Sequence, residues 1–412
     1  MFDWYRDLTK PERRTFIAAF AGWSVDAFDF TVYTFLIPTL IAAWSMTKAE
    51  AGLIATASLI LSAVGGWAAG ILADRFGRVR VLQITIVWFS LFTFLSGFTT
   101  SFEQLLVTRA LQGLGFGGEW AVGSVLVGEI IRAQHRGKAV GTVQSGWAVG
   151  WGLAAVTFAV VFSVLPEEIA WRAMFWLGLL PALLVFYVRR NVKDPEVFHA
   201  TRTKVRESGG HFLDIFKPDL LRVTLLGSLM TTGMMSGYYA VTIWVPTYLK
   251  TVRNLSVLNT GGYTFMIIAG SFVGYLVAAY LADRLGRRRT FFVFAVGTAA
   301  VTVLYTLVPI SNEAMLFLGF PLGFFLSGNF SGVGAFLTEL FPSRVRGSGQ
   351  GFVYNVGRGL GAFSPPLVGY LSSGMMPLAT AIGMVTGLAF AMVVLTVFFL
   401  PETRGKELSV YH

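Results

Sequence analysis

The sequence predicts an all-α membrane protein of twelve transmembrane helices, arranged as two pseudo-symmetric six-helix bundles. Three observations carry that expectation. Of 412 residues, 55% are hydrophobic and only 13% are charged, where a soluble domain carries ~25% charged residues. The apolar residues fall into runs long enough to cross a bilayer, because ~20 residues rising ~1.5 Å each span a ~30 Å hydrocarbon core. Finally, motifs of the first half recur in the second at a nearly constant offset. The short alternating segments a barrel needs are not seen.

The spans are expected near 16–42, 51–72, 79–99, 103–129, 140–164, 171–188, 220–249, 259–281, 290–308, 314–338, 349–371 and 376–400. The first is too long for a cleavable signal, lacks a small-residue cleavage site and carries Asp26 and Asp29. The absence of cysteine excludes disulfides, thiolate catalysis and cysteine-ligated metals. No metal site, no cofactor and no enzymatic activity is expected.

The net charge of +10 raises the question of nucleic acid, and the distribution of the charge answers it. With both termini cytoplasmic, 26 of the 32 Lys and Arg lie on the cytoplasmic side, four in outer loops, and Arg109 and Arg358 within the membrane. That asymmetry is the positive-inside pattern. The partner of the surface is therefore a lipid bilayer and not a nucleic acid.

Gly70-Ile-Leu-Ala-Asp74-Arg75-Phe-Gly77-Arg78 recurs as Ala279-Tyr-Leu-Ala-Asp283-Arg284-Leu-Gly286-Arg287, an offset of 209. Glu129 and Arg136-Gly137 recur as Glu339 and Arg346-Gly347, an offset of 210. The expected organisation is a first six-helix bundle over 1–188, a basic cytoplasmic linker over 189–219, and a second bundle with a short tail over 220–412. Parallel halves rocking around a midplane site are the architecture such a duplication implies.

Asp-Arg-x-Gly-Arg after helices 2 and 8, Arg-x-x-Gln-Gly-x-Gly from Arg109 to Gly115, and Pro401-Glu-Thr-Arg-Gly405 after helix 12 resemble the major facilitator superfamily over nearly the whole chain. Trp23-Ser-Val-Asp26-Ala-Phe-Asp29-Phe is similar to the first helix of the aromatic acid:proton symporters and of the sialate and lactate proton symporters. Gly117-Gly118-Glu119-Trp120 fits the same organic-anion group, and Asn355-Val-Gly-Arg358 resembles the sialate/lactate branch. The resemblance implies the major facilitator fold and gives a first-helix acid and the helix 4 arginine roles in proton coupling. Asp29 and Arg109 are the matching positions.

The cytoplasmic loops admit two readings. Asp74, Arg75 and Arg78, with Glu129 and Arg136, can clamp the inner faces of the first half, as Asp283, Arg284, Arg287, Glu339 and Arg346 can in the second. Alternatively they are topogenic basic loops beside satisfied acids. Acids recurring beside the arginines in both halves favour the gate, since topology needs only the bases. Thr47 with Glu50, and Ser101 with Gln104, have capping-box spacing ahead of helices 2 and 4.

Within the membrane, Arg109, Gln112, Phe116 and Glu119 fall on one stripe of helix 4 about 80° wide. Asp26 and Asp29 lie three apart on helix 1. A charge at that depth costs at least ~2.5 kcal/mol, so such residues pair or line a wet path. Asp29 with Arg109 is either a proton switch or a static pair joining helices 1 and 4. Glu119 has no base on its own helix and is either a proton-loading group or a protonated acid bonded to a neighbouring helix. Its mate at offset 210 is Asn329, while Arg109 maps to Gly319 and Asp29 maps near Tyr238. The ionisable machinery is thus concentrated in the first half.

Arg358 is the base within the second half, with Tyr354 and Asn355 on its face of helix 11. A guanidinium grips a carboxylate through two parallel bonds, unless this one snorkels to the cytoplasm. Pro365-Pro366 is expected to interrupt the helix. Tyr238, on helix 7, and Gln112 and Asn329 complete the expected substrate contacts. Asp26, Asp29, Arg109 and Glu119 are the expected proton-coupling set.

No nucleotide-binding motif is present. The expectation is a monomeric, proton-coupled symporter in a bacterial inner membrane, both termini cytoplasmic, taking up a small organic anion, a monocarboxylate such as a sialic, lactate-type or aromatic acid. A proton-coupled exporter of drugs or metabolic acids is the first alternative. A nutrient sensor that binds without transport is the second.

Overall fold

A computed structural model describes residues 3–131, 133–192, 212–342 and 345–404. Its helices group into twelve rods: α1 (Lys10–Trp44), α2 (Lys48–Phe76), α3 (Arg78–Ser96), α4 (Phe102–Ile130), α5 (Ala133–Val164), α6 (Glu167–Trp176 continued by Leu183–Asn191), α7 (Pro218–Thr251), α8 (Val257–Leu285), α9 (Arg287–Leu307), α10 (Asn312–Ser331 continued by Val333–Leu340), α11 (Arg346–Gly361 continued by Ser364–Ser372) and α12 (Leu378–Phe399). No strand occurs among the described residues. Nine of the described helices are long and apolar enough to cross a membrane by composition. Their outer faces suit lipid: Trp67, Phe186, Phe317 and Leu388 are each 64–70% exposed. The chain is a multi-pass integral membrane protein.

Helix starts follow the local chemistry. Thr9 and Glu12 form a capping box at α1, with Pro11 in the first turn. Thr47 and Glu50 do the same at α2, Glu50 receiving the Thr47 N–H at 2.7 Å. At α4 the box is only half made. Gln104 N–H donates to Ser101 Oγ at 3.4 Å, but the Gln104 side chain accepts from Thr100 N–H at 3.0 Å. Where the Asp-Arg-x-Gly-Arg repeats end α2 and α8, Gly77 and Gly286 take φ of 102° and 95°. That conformation is ready only for glycine and lets the chain reverse at once into α3 and α9.

The duplication extends into helix packing. A Cβ on Gly113 of α4 would collide with the Ser58 carbonyl of α2, and one on Gly323 of α10 with the Ile267 carbonyl of α8. The two glycines are 210 apart, and each lets two backbones touch, as small residues do in membranes.

Three rods, α6, α10 and α11, depart from uniform helices. Around Pro181, which cannot donate an N–H, α6 tightens to a 3-10 segment at Leu177–Ala182. The break in α11 falls at Ala362–Phe363, and Pro365 starts the following helix; Trp244 Nε1–H donates to the Pro365 carbonyl at 3.0 Å. One compact unit holds α1–α6 with Leu249–Gly261, and the other holds α7 up to Tyr248 and the chain from Gly262. Lys250, in the last turn of α7, pairs with Glu167 at 3.1 Å.

Candidate functional site

In the first unit the α4 stripe meets α1 along its length. Asp29 and Arg109 are 0% and 2% exposed, and their nearest charged atoms stand 3.7 Å apart, beyond hydrogen-bond distance. Both carboxylate oxygens of Asp29 are taken up elsewhere: the Thr93 hydroxyl of α3 donates to Oδ1, and the Gln112 amide donates to Oδ2. Ser58 of α2 in turn donates to Gln112 Oε1 at 2.8 Å. The Arg109 guanidinium is sandwiched by aromatic rings, Tyr33 at 5.7 Å and Phe175 at 5.8 Å. Cation–π contact holds a guanidinium in a dry site without neutralising it.

One turn further along α4, Phe116 stacks on Phe30 at 5.8 Å. Glu119, 2% exposed, then reaches across to α1. Its carboxyl fills the space over Gly22, where any Cβ would collide with Oε1, and faces Asp26, which is fully buried. Two carboxyls in contact inside an apolar bundle cannot both be charged at low cost. The structure therefore gives Glu119 an acid on a neighbouring helix as its companion. Trp23 and Trp147, 5.0 Å apart, wall this end.

In the second unit Arg358 is 3% exposed and lies over the Tyr354 ring at 5.2 Å. Tyr239 of α7 is within hydrogen-bond reach of its guanidinium. Tyr238 packs edge-on to Phe330 at 5.0 Å, and Ser331 Oγ of α10 donates to the Tyr275 carbonyl of α8 at 2.7 Å. Asn355 is half-buried and donates to Gly351 O of its own helix at 3.0 Å. Asn329, expected beside the substrate, donates instead to Thr298 Oγ1 at 3.2 Å and to Phe325 O at 2.9 Å, joining α10 to α9. Gln112 likewise has both ends of its amide committed, to Asp29 and Ser58.

Where α9 begins beside the end of α10, Arg287 and Glu339 make a two-bond fork, Nη2–Oε1 at 2.9 Å and Nε–Oε2 at 3.2 Å. Thr403 Oγ1 donates to the same carboxylate at 2.5 Å. Glu402 caps α9 from a distance in sequence, its oxygens accepting from Arg287 N–H at 2.9 Å and Arg288 N–H at 3.1 Å. Burial works to raise the Glu402 carboxyl, but backbone N–H groups of Arg287, Arg404, Arg288 and Thr403 outweigh it and hold it below its ordinary value. Arg284 is exposed. The side chains of Asp74, Arg75, Arg78, Glu129, Arg136, Asp283 and Arg346 lie outside the described residues.

Sequence reasoning missed Thr93, Ser58 and Phe175 around Asp29 and Arg109. Hydroxyls and aromatics are too common in apolar helices to stand out. Glu402 and Thr403 were different, since the Pro401–Gly405 motif already contained them.

The chain matches the Major Facilitator Superfamily profile over residues 19–277 and 263–410. It is 44% identical over 405 residues to a probable 4-methylmuconolactone transporter of Cupriavidus pinatubonensis, covering 98% of this chain and 94% of that protein. It is 28% identical over 410 residues to the sialic acid transporter NanX of Escherichia coli, covering 99% and 98%. Among solved structures, a D-xylose-proton symporter superposes with a TM-score of 0.79 over 96% of this chain and 99% of that one, at 20% identity, a likeness of fold. These relatives are transporters and not enzymes, and the twelve rods of the described residues have the major facilitator fold: the chain belongs to the Major Facilitator Superfamily.

Proposed function

We propose that this chain is a proton-coupled symporter that takes up an organic anion by alternating access, as a monomer in a bacterial inner membrane with both termini cytoplasmic. The names of the relatives, a methylmuconolactone and a sialic acid transporter, support a small carboxylate as substrate. The observation that carries the coupling is the buried Asp29–Arg109 pair, 3.7 Å apart with both Asp29 oxygens accepting bonds. Protonating Asp29 turns one of those acceptors into a donor: at Oδ2 the bond from the Gln112 amide, which cannot accept, must break, and at Oδ1 the Thr93 hydroxyl must turn and accept instead. That loosens a junction of α1, α3 and α4 and leaves Arg109 without its counter-charge. Asp26 and Glu119 hold a second proton store on the same two helices. Arg358 supplies the permanent positive charge that a carboxylate needs in a dry site.

One proton carried with one monoanion moves no net charge, and a tenfold pH gradient then supplies ~1.4 kcal/mol. The test is uptake of labelled carboxylates into proteoliposomes. Accumulation under an inward proton gradient, abolished by a protonophore, is expected. Accumulation driven by an outward proton gradient would instead identify an exporter, and saturable binding without uptake a sensor.

A further inference from the structure

The two oxygens of Asp29 have different neighbours, and the difference decides where a proton can sit. Asp29, Gln112 and Thr93 are fully buried and Ser58 is 2% exposed, so each protonation state must satisfy its bonds within this group. Oδ2 accepts from the Gln112 amide and has Arg109 Nη1 at 3.7 Å. Both neighbours present only donors to it. The amide is held in that orientation from behind, since Ser58 Oγ donates to Gln112 Oε1 at 2.8 Å. The next residue, Gly113, closes on the Ser58 carbonyl, so α2 and α4 are fixed together at this level.

Oδ1 accepts from the Thr93 hydroxyl, which can donate or accept. Gly178 of α6 seats the methyl of this threonine: a Cβ there would stand 2.2 Å from Thr93 Cγ2. Turning the hydroxyl about its C–O bond exchanges donor for acceptor and moves no heavy atom. Its hydrogen then has a carbonyl one turn back on α3 to go to, as Thr85 donates to Leu82 O and Ser96 to Phe92 O, each at 2.9 Å. Charge points the same way. A proton on Oδ2 would face a guanidinium, whereas one on Oδ1 leaves the negative carbonyl end of the acid toward Arg109.

The ionisable neighbours of Asp29 are few. On α4 there is Arg109; on α1, Asp26 lies one turn back and faces Glu119, and Tyr33 lies one turn on and donates to Ala51 O at 2.7 Å. Residues 51–73, 81–96, 140–164 and 173–186, the central parts of α2, α3, α5 and α6, contain no side chain that ionises. We infer that the proton taken up by Asp29 sits on Oδ1 with Thr93 as its acceptor, while Gln112 and Ser58 reserve Oδ2 as the carbonyl oxygen. Thr93 is then a positioning residue of the coupling step, and the change on loading falls on α3. This rests on the reading of Asp29 as a coupling acid and chooses between its two oxygens.

Infrared difference spectra of the purified full chain in detergent, between alkaline and acid pH, read the carbonyl band of a buried acid as it gains its proton. The Asp29 band is the one missing in Asp29→Asn. A carbonyl that loses a hydrogen-bond donor absorbs at higher wavenumber. Gln112→Leu, or Gln112→Met if that variant does not fold, is expected to move the Asp29 band up. Thr93→Val is expected to leave the band in place and raise the pH midpoint of its appearance by about one pH unit, tenfold in proton affinity. The sign follows because a bond to a carboxylate is worth more than one to the neutral acid. Thr93→Ser keeps the hydroxyl and is expected to keep the native midpoint. A band that moves in Thr93→Val or stays in Gln112→Leu puts the proton elsewhere and overturns the inference, as does a midpoint that Thr93→Val leaves alone. If no band is lost in Asp29→Asn, the reading of Asp29 as a coupling acid falls with it. The expected bands in a chain whose uptake ignores the proton gradient would sink coupling alone and leave the proton on Oδ1.

Discussion

The two halves of this chain share a frame and differ in what they bury. Gly113 and Gly323 make the same backbone contact 210 residues apart, and Gly77 and Gly286 make the same positive-φ reversal. Inside the first half Asp26, Asp29, Arg109 and Glu119 are buried; the second half buries Arg358 against the Tyr354 ring. Where Glu119 reaches across to α1, its mate Asn329 turns to α9. Backbone contacts tolerate one solution and are retained on duplication. Side chains aimed into a polar interior are free to diverge, and here the first half has kept carboxyls on α1 and α4 where the second has Asn329 and Tyr238.

The comparison can be broken first at the frame. Gly113→Val and Gly323→Val each drive a side chain into a facing carbonyl, an overpacking cost of at least ~3 kcal/mol. Both variants are expected to lose monodisperse protein by size-exclusion chromatography; tolerance in one half alone would show that the shared contact is not equally important.

Glu119→Gln comes next. It is expected to abolish proton-driven accumulation in proteoliposomes while leaving substrate counterflow largely intact, because a glutamine occupies the space over Gly22 but carries no exchangeable charge. Asn329→Asp, which introduces an acid at the mate position, is expected to leave the coupling ratio as it was. Retained accumulation in Glu119→Gln would remove the asymmetry between the halves.

A smaller effect is expected from Arg358→Lys. Charge is kept but the planar fork is lost, and a charge-assisted bond of that kind is worth ~1.5–3 kcal/mol, roughly ten- to a hundredfold in affinity. Calorimetric titration with a carboxylate substrate reads it directly, and an unchanged dissociation constant would return the anion to Arg109.

The smallest concerns the start of α9 in the second half. Glu402 is held below its ordinary value by backbone donors, so its contribution to stability is present above the unfolded carboxylate value and fades as pH falls through the lower folded one. Glu402→Gln is expected to lower the thermal midpoint slightly near neutral pH, with the gap from the native chain closing under acid conditions. A gap that widens on acidification would contradict the cap.

Much of the fold was legible because lipid imposes it. Spans and duplication follow from apolar run length and from motifs at a constant offset. The stripe on α4 was legible too: Arg109, Gln112, Phe116 and Glu119 share a face by periodicity alone, and in the structure all four meet α1 or its residues. Caps were readable where a short-range pattern is self-sufficient, as at Thr47 and Glu50, and half-readable at Ser101, where Thr100 competes for the same glutamine.

What the sequence by itself determined is therefore whatever depends on one helix or one solvent: which segments enter the bilayer, which face of each is polar, and how many charges are buried. Tertiary structure decided the partnerships. That Asp29 gives its oxygens to Thr93 and Gln112 rather than to Arg109, that Glu119 meets Asp26, and that Tyr238 packs on Phe330 all depend on helices far apart in the chain. Periodicity sets the direction of a side chain around its own axis. Which neighbour it finds there depends on how deeply and at what angle the next helix packs, and glycine contacts such as Gly113 on Ser58 set that approach.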